Sequence, residues 1–132
     1  MKKRAFFLVI SMIILAACSD GEQKSMQSND PIIGVWKLHK YVDPISTSGF
    51  DRCKKKNTLT VYGDLSFDIV TYGANSKGEC VEESHKTSQV YKLRKENIIY
   101  RIEDSKLTIL NPSTLKIQVD GIRFYSIYKK AN

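Results

Sequence analysis

Between residues 32 and 129 apolar side chains recur at every second position in short runs, and each run stops at Gly, Pro, Asn, Asp or Ser. Period two with turn chemistry between the runs predicts half-buried β-strands. In the first run, 32–38, Trp36 and Leu38 share one side with Lys40, and Val35 and Lys37 share the other with His39. Gly34 inside it permits a bend or a close backbone approach. A loop is expected over 41–51, where Pro44 and Gly49 sit among Ser and Thr. Residues 58–62 place Leu59 and Val61 on one face. Gly63-Asp64 is a turn pair, and 65–72 place Leu65, Phe67 and Ile69 on one face, which together read as a hairpin. Residues 73–83 read as a polar loop carrying Cys80. Further strands are expected at 87–93, 98–103, 106–110, 114–119 and 122–129, with turns at Lys95-Glu96-Asn97, Asp104-Ser105, Asn111-Pro112 and Asp120-Gly121.

Closely spaced strands joined by hairpin turns, with no amphipathic helix, predict an all-β antiparallel up-and-down meander of eight strands. A flat sheet of that size would leave two raw edges and one wet apolar face. Closure into an eight-stranded β-barrel removes both problems. A two-layer β-sandwich is the alternative.

The N-terminal pattern is different. Lys2, Lys3 and Arg4 precede residues 5–17, in which Ser11 is the only polar side chain, and polarity begins abruptly after Cys18. This is the layout of an export signal. Thirteen residues rise only about 20 Å as a helix, short of the ~30 Å hydrocarbon core. The ending Leu15-Ala16-Ala17-Cys18 resembles the lipobox of bacterial lipoproteins. The resemblance implies cleavage before Cys18 and acylation of that residue, with residues 1–17 as signal peptide and the membrane as a partner through the lipid. An ordinary secretory signal cut after Ala17 is the plain alternative. Residues 18–30 are expected to be a disordered tether, since 19–29 hold Gly, Ser, Gln, Asn and charges with one apolar side chain, Met26. Ser19-Asp20-Gly21-Glu22 is similar to the acidic export signal of surface lipoproteins of the Bacteroidota, which implies the outer face of the outer membrane. Asp30-Pro31 is suited to cap and start one helical turn. Residues 31–132 are then one domain.

Cleavage changes how charge and cysteines are read. Of 132 residues, 115 would remain, enough for one core. The formal charge of +7 falls to +4 without Lys2, Lys3 and Arg4, ordinary for solubility, and an exported protein rarely meets nucleic acid. Lys54-Lys55-Lys56 is the one dense basic run, either a solvated loop or a contact for an anionic surface. With Cys18 acylated, Cys53 and Cys80 remain as an even pair in an oxidising compartment, and a disulfide is expected. A metal site at Cys80 and His85 is the rival; neither Cys-x-x-Cys nor His-x-x-x-His supports it.

Gly34-Val35-Trp36 opens the first strand, Cys53 precedes Lys-Lys-Lys-Asn-Thr-Leu-Thr, and Leu110-Asn111-Pro112-Ser113-Thr114-Leu115 leads into the penultimate strand. In that order, behind a lipobox, these resemble the short two-cysteine lipocalin-like domain of lipoproteins of the Bacteroidota. The hairpin tip departs from that pattern, with Gly63-Asp64-Leu65 in place of Asp-Gly, and Tyr91 stands where a Trp is expected. The resemblance implies that Trp36 closes one barrel end beneath a basic side chain of the last strand, for which Arg123 is a candidate; the alternative for Arg123 is a solvated position.

Trp36, Phe67, Tyr91, Tyr100 and Phe124 are the aromatic residues expected on strands. They either fill the core or line a cavity for a small apolar ligand. His39 and His85 lie in no catalytic motif, and no phosphate-cradling glycine loop or His-Glu-x-x-His is present. Glu79, Glu82 and Glu83 near Cys80 read as solubilising charges beside Lys77 and Lys86. The expectation is a lipid-anchored envelope protein, with no catalysis or cofactor, that binds a small apolar ligand. The alternative is a structural or protein-interaction lipoprotein with a packed barrel.

Overall fold

Nine strands form one antiparallel sheet in the computed structural model, which describes residues 26, 28–43, 45, 51–88, 93–97 and 99–132. The leader, Cys18, most of the tether and Tyr91 lie outside the described residues. The strands are β1 (Gly34–Val42), β2 (Thr58–Val61), β3 (Phe67–Ala74), β4 (Cys80–Ser88), β5 (Arg94–Glu96), β6 (Ile99–Ile102), β7 (Ser105–Asn111), β8 (Thr114–Val119) and β9 (Tyr125–Lys130). One turn of 3-10 helix, Lys54–Lys56, follows Cys53.

The spatial order is β4-β3-β2-β1-β9-β8-β7-β6-β5. Every neighbour is consecutive in sequence except β1 and β9, the first and last strands, which pair antiparallel from Trp36↔Lys130 to Val42↔Tyr125. This is the circular order of an up-and-down barrel with one gap. Among the described residues no ladder joins β4 to β5, so the sheet curls into a half-barrel and not into a second layer. Among the described residues, two contacts span the gap. The Leu93 amide donates to the Leu65 carbonyl (2.9 Å), and Lys86 Nζ meets Glu103 Oε1 (3.2 Å).

The strand count and several bounds differ from expectation. Residues 80–88, expected as loop up to Glu83 and as strand only from Thr87, form the edge strand β4, and Arg94–Glu96, expected in part as a turn, forms the edge strand β5. Both are polar because an edge strand here has water on both faces. Charged edges also block pairing with another sheet. Strand β1 runs on to Val42 through an irregularity between Leu38 and Lys40. The turn before β7 is Glu103-Asp104, with Glu103 at φ 50°, so Ser105 already belongs to the strand.

The interior follows from the alternation. Cross-strand partners share a face, so Trp36↔Leu59, Leu59↔Ile69, Leu38↔Tyr128 and Leu115↔Tyr128 set one concave row after another. Trp36, Leu38, Leu59, Val61, Phe67, Tyr100, Leu107 and Leu115 are all buried. Each such side chain contributes about 1.5–3 kcal/mol relative to exposure. Ile32 and Ile33, just before β1, join this cluster and plug one end of the half-barrel.

Cys53 and Cys80 are disulfide-bonded, with their Cα atoms 5.1 Å apart, and tie the segment before β2 to the start of edge strand β4. Lys54 reinforces the junction through Glu83 (2.8 Å).

Candidate functional site

The plugged end is built by the turn before β1. The Ile32 amide donates to Asp30 Oδ1 (3.3 Å) and the Ile33 amide to the Asp30 carbonyl (3.1 Å), so Asp30 caps a turn that turns both isoleucines inward. The Trp36 indole then donates to the Ile32 carbonyl (2.7 Å). Lys130, at the end of β9, covers this tryptophan: its Nζ is 5.1 Å from the ring centroid and also donates to the Pro31 carbonyl (3.2 Å). The cation over Trp36 is therefore Lys130. Arg123 lies in the exposed turn before β9, seven residues away.

Asp30 holds the plug to the edge strand. Its carboxylate accepts hydrogen bonds from the Tyr100 hydroxyl and from Lys95 Nζ (2.8 Å), and Lys95 lies 5.5 Å from the Tyr100 ring centroid. Burial pushes the Asp30 carboxyl up, but the bonds from Lys95, Tyr100 and the Ile32 amide, with the Lys95 charge, outweigh it and hold it below its ordinary value. Burial and the Asp30 carboxylate together raise the Tyr100 phenol. A shallow groove of about 240 Å³ beside this network is lined by Pro31, Lys95, Asn97, Tyr100 and Ile109.

The other half of the concave face is not filled. A cleft of about 120 Å³ is lined by Leu59, Ile69, Ile102, Ser105, Leu107, Ile117 and Tyr128, from six strands. Five of the seven are aliphatic, and among the described residues the two hydroxyls are the only side-chain polar atoms in the lining. No hydrogen bond to the Tyr128 hydroxyl is made among the described residues, and burial pushes its phenol well above the usual range. Lys86 is in register with the lining residue Ile69, and Glu103 follows the lining residue Ile102, so their ion pair lies across the gap beside the cleft.

Of the aromatic residues named from the sequence, Trp36, Phe67 and Tyr100 come together, but as packed core of the plugged end, 0–1% exposed. Phe124 does not reach the interior. It is 50% exposed, because the chain between β8 and β9 continues as a turn past Gly121 and β9 begins only at Tyr125. The cleft residues were visible as alternating faces, yet nothing local separates a strand that lines a cleft from one that packs solid.

Cys80 is held by Cys53, so its sulfur is not a free thiolate beside His85. His85 stands 4.0 Å from Glu82, and its Nε2 is 3.4 Å from the Thr87 hydroxyl; His39 is exposed. Among the described residues no three His, Cys, Asp or Glu side chains are grouped to hold a metal ion. Compared with protein-family models, with characterised proteins and with solved structures, the chain finds no match.

Proposed function

We propose that this protein is a lipid-anchored, lipocalin-like binding module of the cell envelope that takes one small apolar molecule into the concave cleft. The observation that carries the reading is the lining itself. Five aliphatic side chains surround an open space with only the Ser105 and Tyr128 hydroxyls to orient a guest. Its volume of about 120 Å³ sets the size of the guest. A cavity of ~150 Å³ holds benzene, whereas drug-sized ligands need ~300 Å³ or more. The ligand is thus of single-ring or short-branched-chain size. Trp36 beneath Lys130 supports the lipocalin-like reading, and the Leu-Ala-Ala-Cys18 sequence supports the anchor.

The test is exchange of Ile69 for Trp, which fills the cleft from β3. The exported protein from its own host, purified in mild detergent, is extracted with solvent and the extract analysed by mass spectrometry. The wild type should release one small apolar compound and the I69W variant, equally folded by circular dichroism, should release none. Equal or absent release from both defeats the proposal.

A second reading, a protein-interaction lipoprotein, is favoured by the exposed apolar residues at the unplugged end. Tyr41 near the end of β1, Ile45 beyond it, and Ile122 and Phe124 before β9 flank the end of the ladder at which Val42 pairs with Tyr125. Crosslinking from position 124 to an envelope protein would support it.

A further inference from the structure

The two hydroxyls of the cleft are not equivalent. Along β8, Thr114 pairs with Lys129 beside the plug, whereas Val119 pairs with Ser105 at the other end. Ser105 also follows the exposed turn Glu103-Asp104, so it stands at the rim. Tyr128 lies deeper, because its register partners are Leu38 and Leu115, 3% and 0% exposed. Among the described residues every fully enclosed side-chain polar atom has a hydrogen-bond partner, and the Tyr128 hydroxyl has none. That hydroxyl is therefore not sealed by protein but opens on the cleft it lines. Burial keeps the phenol protonated at neutral pH, so it has a proton to donate.

The surroundings of this hydroxyl restrict what can meet it. Among the described residues no charged side chain lines the cleft, and Lys86 and Glu103 beside it satisfy each other (3.2 Å). A carboxylate or ammonium guest would leave water without gaining a partner, which is costly. A pure hydrocarbon would cover the Tyr128 hydroxyl and leave it unpaired. Water is a poor occupant of the inner end. A firmly held water needs about two to four polar partners, and the described side chains offer one there. A guest that brings its own acceptor displaces such a water at a net gain.

We infer that the guest is a neutral ketone, aldehyde or alcohol of single-ring or short-branched-chain size, whose oxygen meets the Tyr128 hydroxyl while its carbon skeleton lies on Leu59, Ile69, Leu107 and Ile117. The inference rests on the apolar cleft proposed above and narrows its guest. Tyr128 is the specificity-determining residue. The aliphatic walls accept any carbon skeleton that fits, and the phenol selects the oxygen.

The experiment compares two probes of one shape, cyclopentanone and methylenecyclopentane, which differ in C=O against C=CH2. Both are five-membered rings smaller than benzene. The full exported protein in mild detergent is purged with inert gas to remove volatile guests. Binding is read as depletion of each probe from the headspace beyond a detergent blank. Both probes should bind the wild type, and I69W should abolish both. Y128F should weaken cyclopentanone about 3- to 10-fold and leave methylenecyclopentane unchanged or bound more tightly. Each probe is its own control across the two proteins, so the cost of taking the ketone out of water cancels. Cyclopentanecarboxylate at neutral pH should not displace the ketone. An equal effect of Y128F on the two probes overturns the inference while the cleft stands. Displacement by the carboxylate overturns the neutrality of the guest. Binding of neither probe, or of both to I69W as well as to the wild type, defeats the cleft and the inference with it.

Discussion

Gly34 and Lys130 approach so closely that a Cβ on Gly34 would sit 2.8 Å from Lys130 Cε. Gly34 also has φ +135°, a backbone conformation that L side chains rarely adopt. The glycine of the Gly34-Val35-Trp36 motif therefore lets the chain bend into β1 and leaves the space through which the Lys130 stem reaches the tryptophan.

Exchange of Gly34 for Ala should cost about 1–3 kcal/mol, mostly from backbone strain, because the end of a lysine can move aside. Lys130→Met keeps the stem and loses the cation, which should cost about 1 kcal/mol. The double variant should fall short of the sum, since G34A already displaces Lys130. Urea unfolding followed by Trp36, the only tryptophan, checks all three values.

The disulfide closes a loop with a sequence separation of 27 residues. Constraining the unfolded chain to that extent stabilises the fold by about 3–4 kcal/mol. The Cys53→Ala/Cys80→Ala double variant should unfold at a Tm lower by about 15 °C. Loss should concentrate at β4, since the bond ties that edge strand to the segment before β2. Calorimetry gives the Tm, and amide exchange at residues 80–88 gives the location.

The Asp30 network makes stability depend on pH in a definite direction. The folded carboxyl is held below its ordinary value of 3.8, so its contribution is fully present above that pH. It is lost as pH falls through the lower folded value. Asp30→Asn should therefore be less stable than wild type at pH 7, and the difference should shrink below about pH 4. Denaturant titrations of both proteins between neutral pH and acid test this. A constant difference would remove Asp30 from the acid response.

How far the sequence reveals this molecule depends on how each strand meets water. The alternation at 114–119 predicts strand β8 over its observed span, because Leu115 and Ile117 face a core and Lys116 and Gln118 do not. Most of strand β4 left no such trace, and only 87–88 fall within an expected strand. Its residues from Val81 to Thr87 are exposed on either face, so period two has nothing to record. Asp120-Gly121 read as a two-residue hairpin, but the Ile122 amide bonds the Val119 carbonyl (3.2 Å) and the turn continues through Phe124. That shift took Phe124 out of the interior and gave the cation over Trp36 to Lys130 in place of Arg123. The cleft was not legible at all, because it exists where β4 and β5 do not meet, and that is a property of the whole sheet.

Two tyrosines on the concave face should respond oppositely to the loss of a hydroxyl. Tyr100 donates to the Asp30 carboxylate and is 1% exposed. Tyr100→Phe leaves a carboxylate oxygen short of a partner and should cost about 1–3 kcal/mol. The Tyr128 hydroxyl opens on the cleft and makes no hydrogen bond among the described residues. Its removal takes away a polar group that burial penalises, so Tyr128→Phe should leave stability unchanged or raise it by up to about 1 kcal/mol. The two urea midpoints, compared at neutral pH where both phenols are protonated, give the sign directly. A loss at Tyr128 as large as that at Tyr100 would mean that its hydroxyl is bonded in solution, and the cleft would then offer a ligand one polar contact fewer.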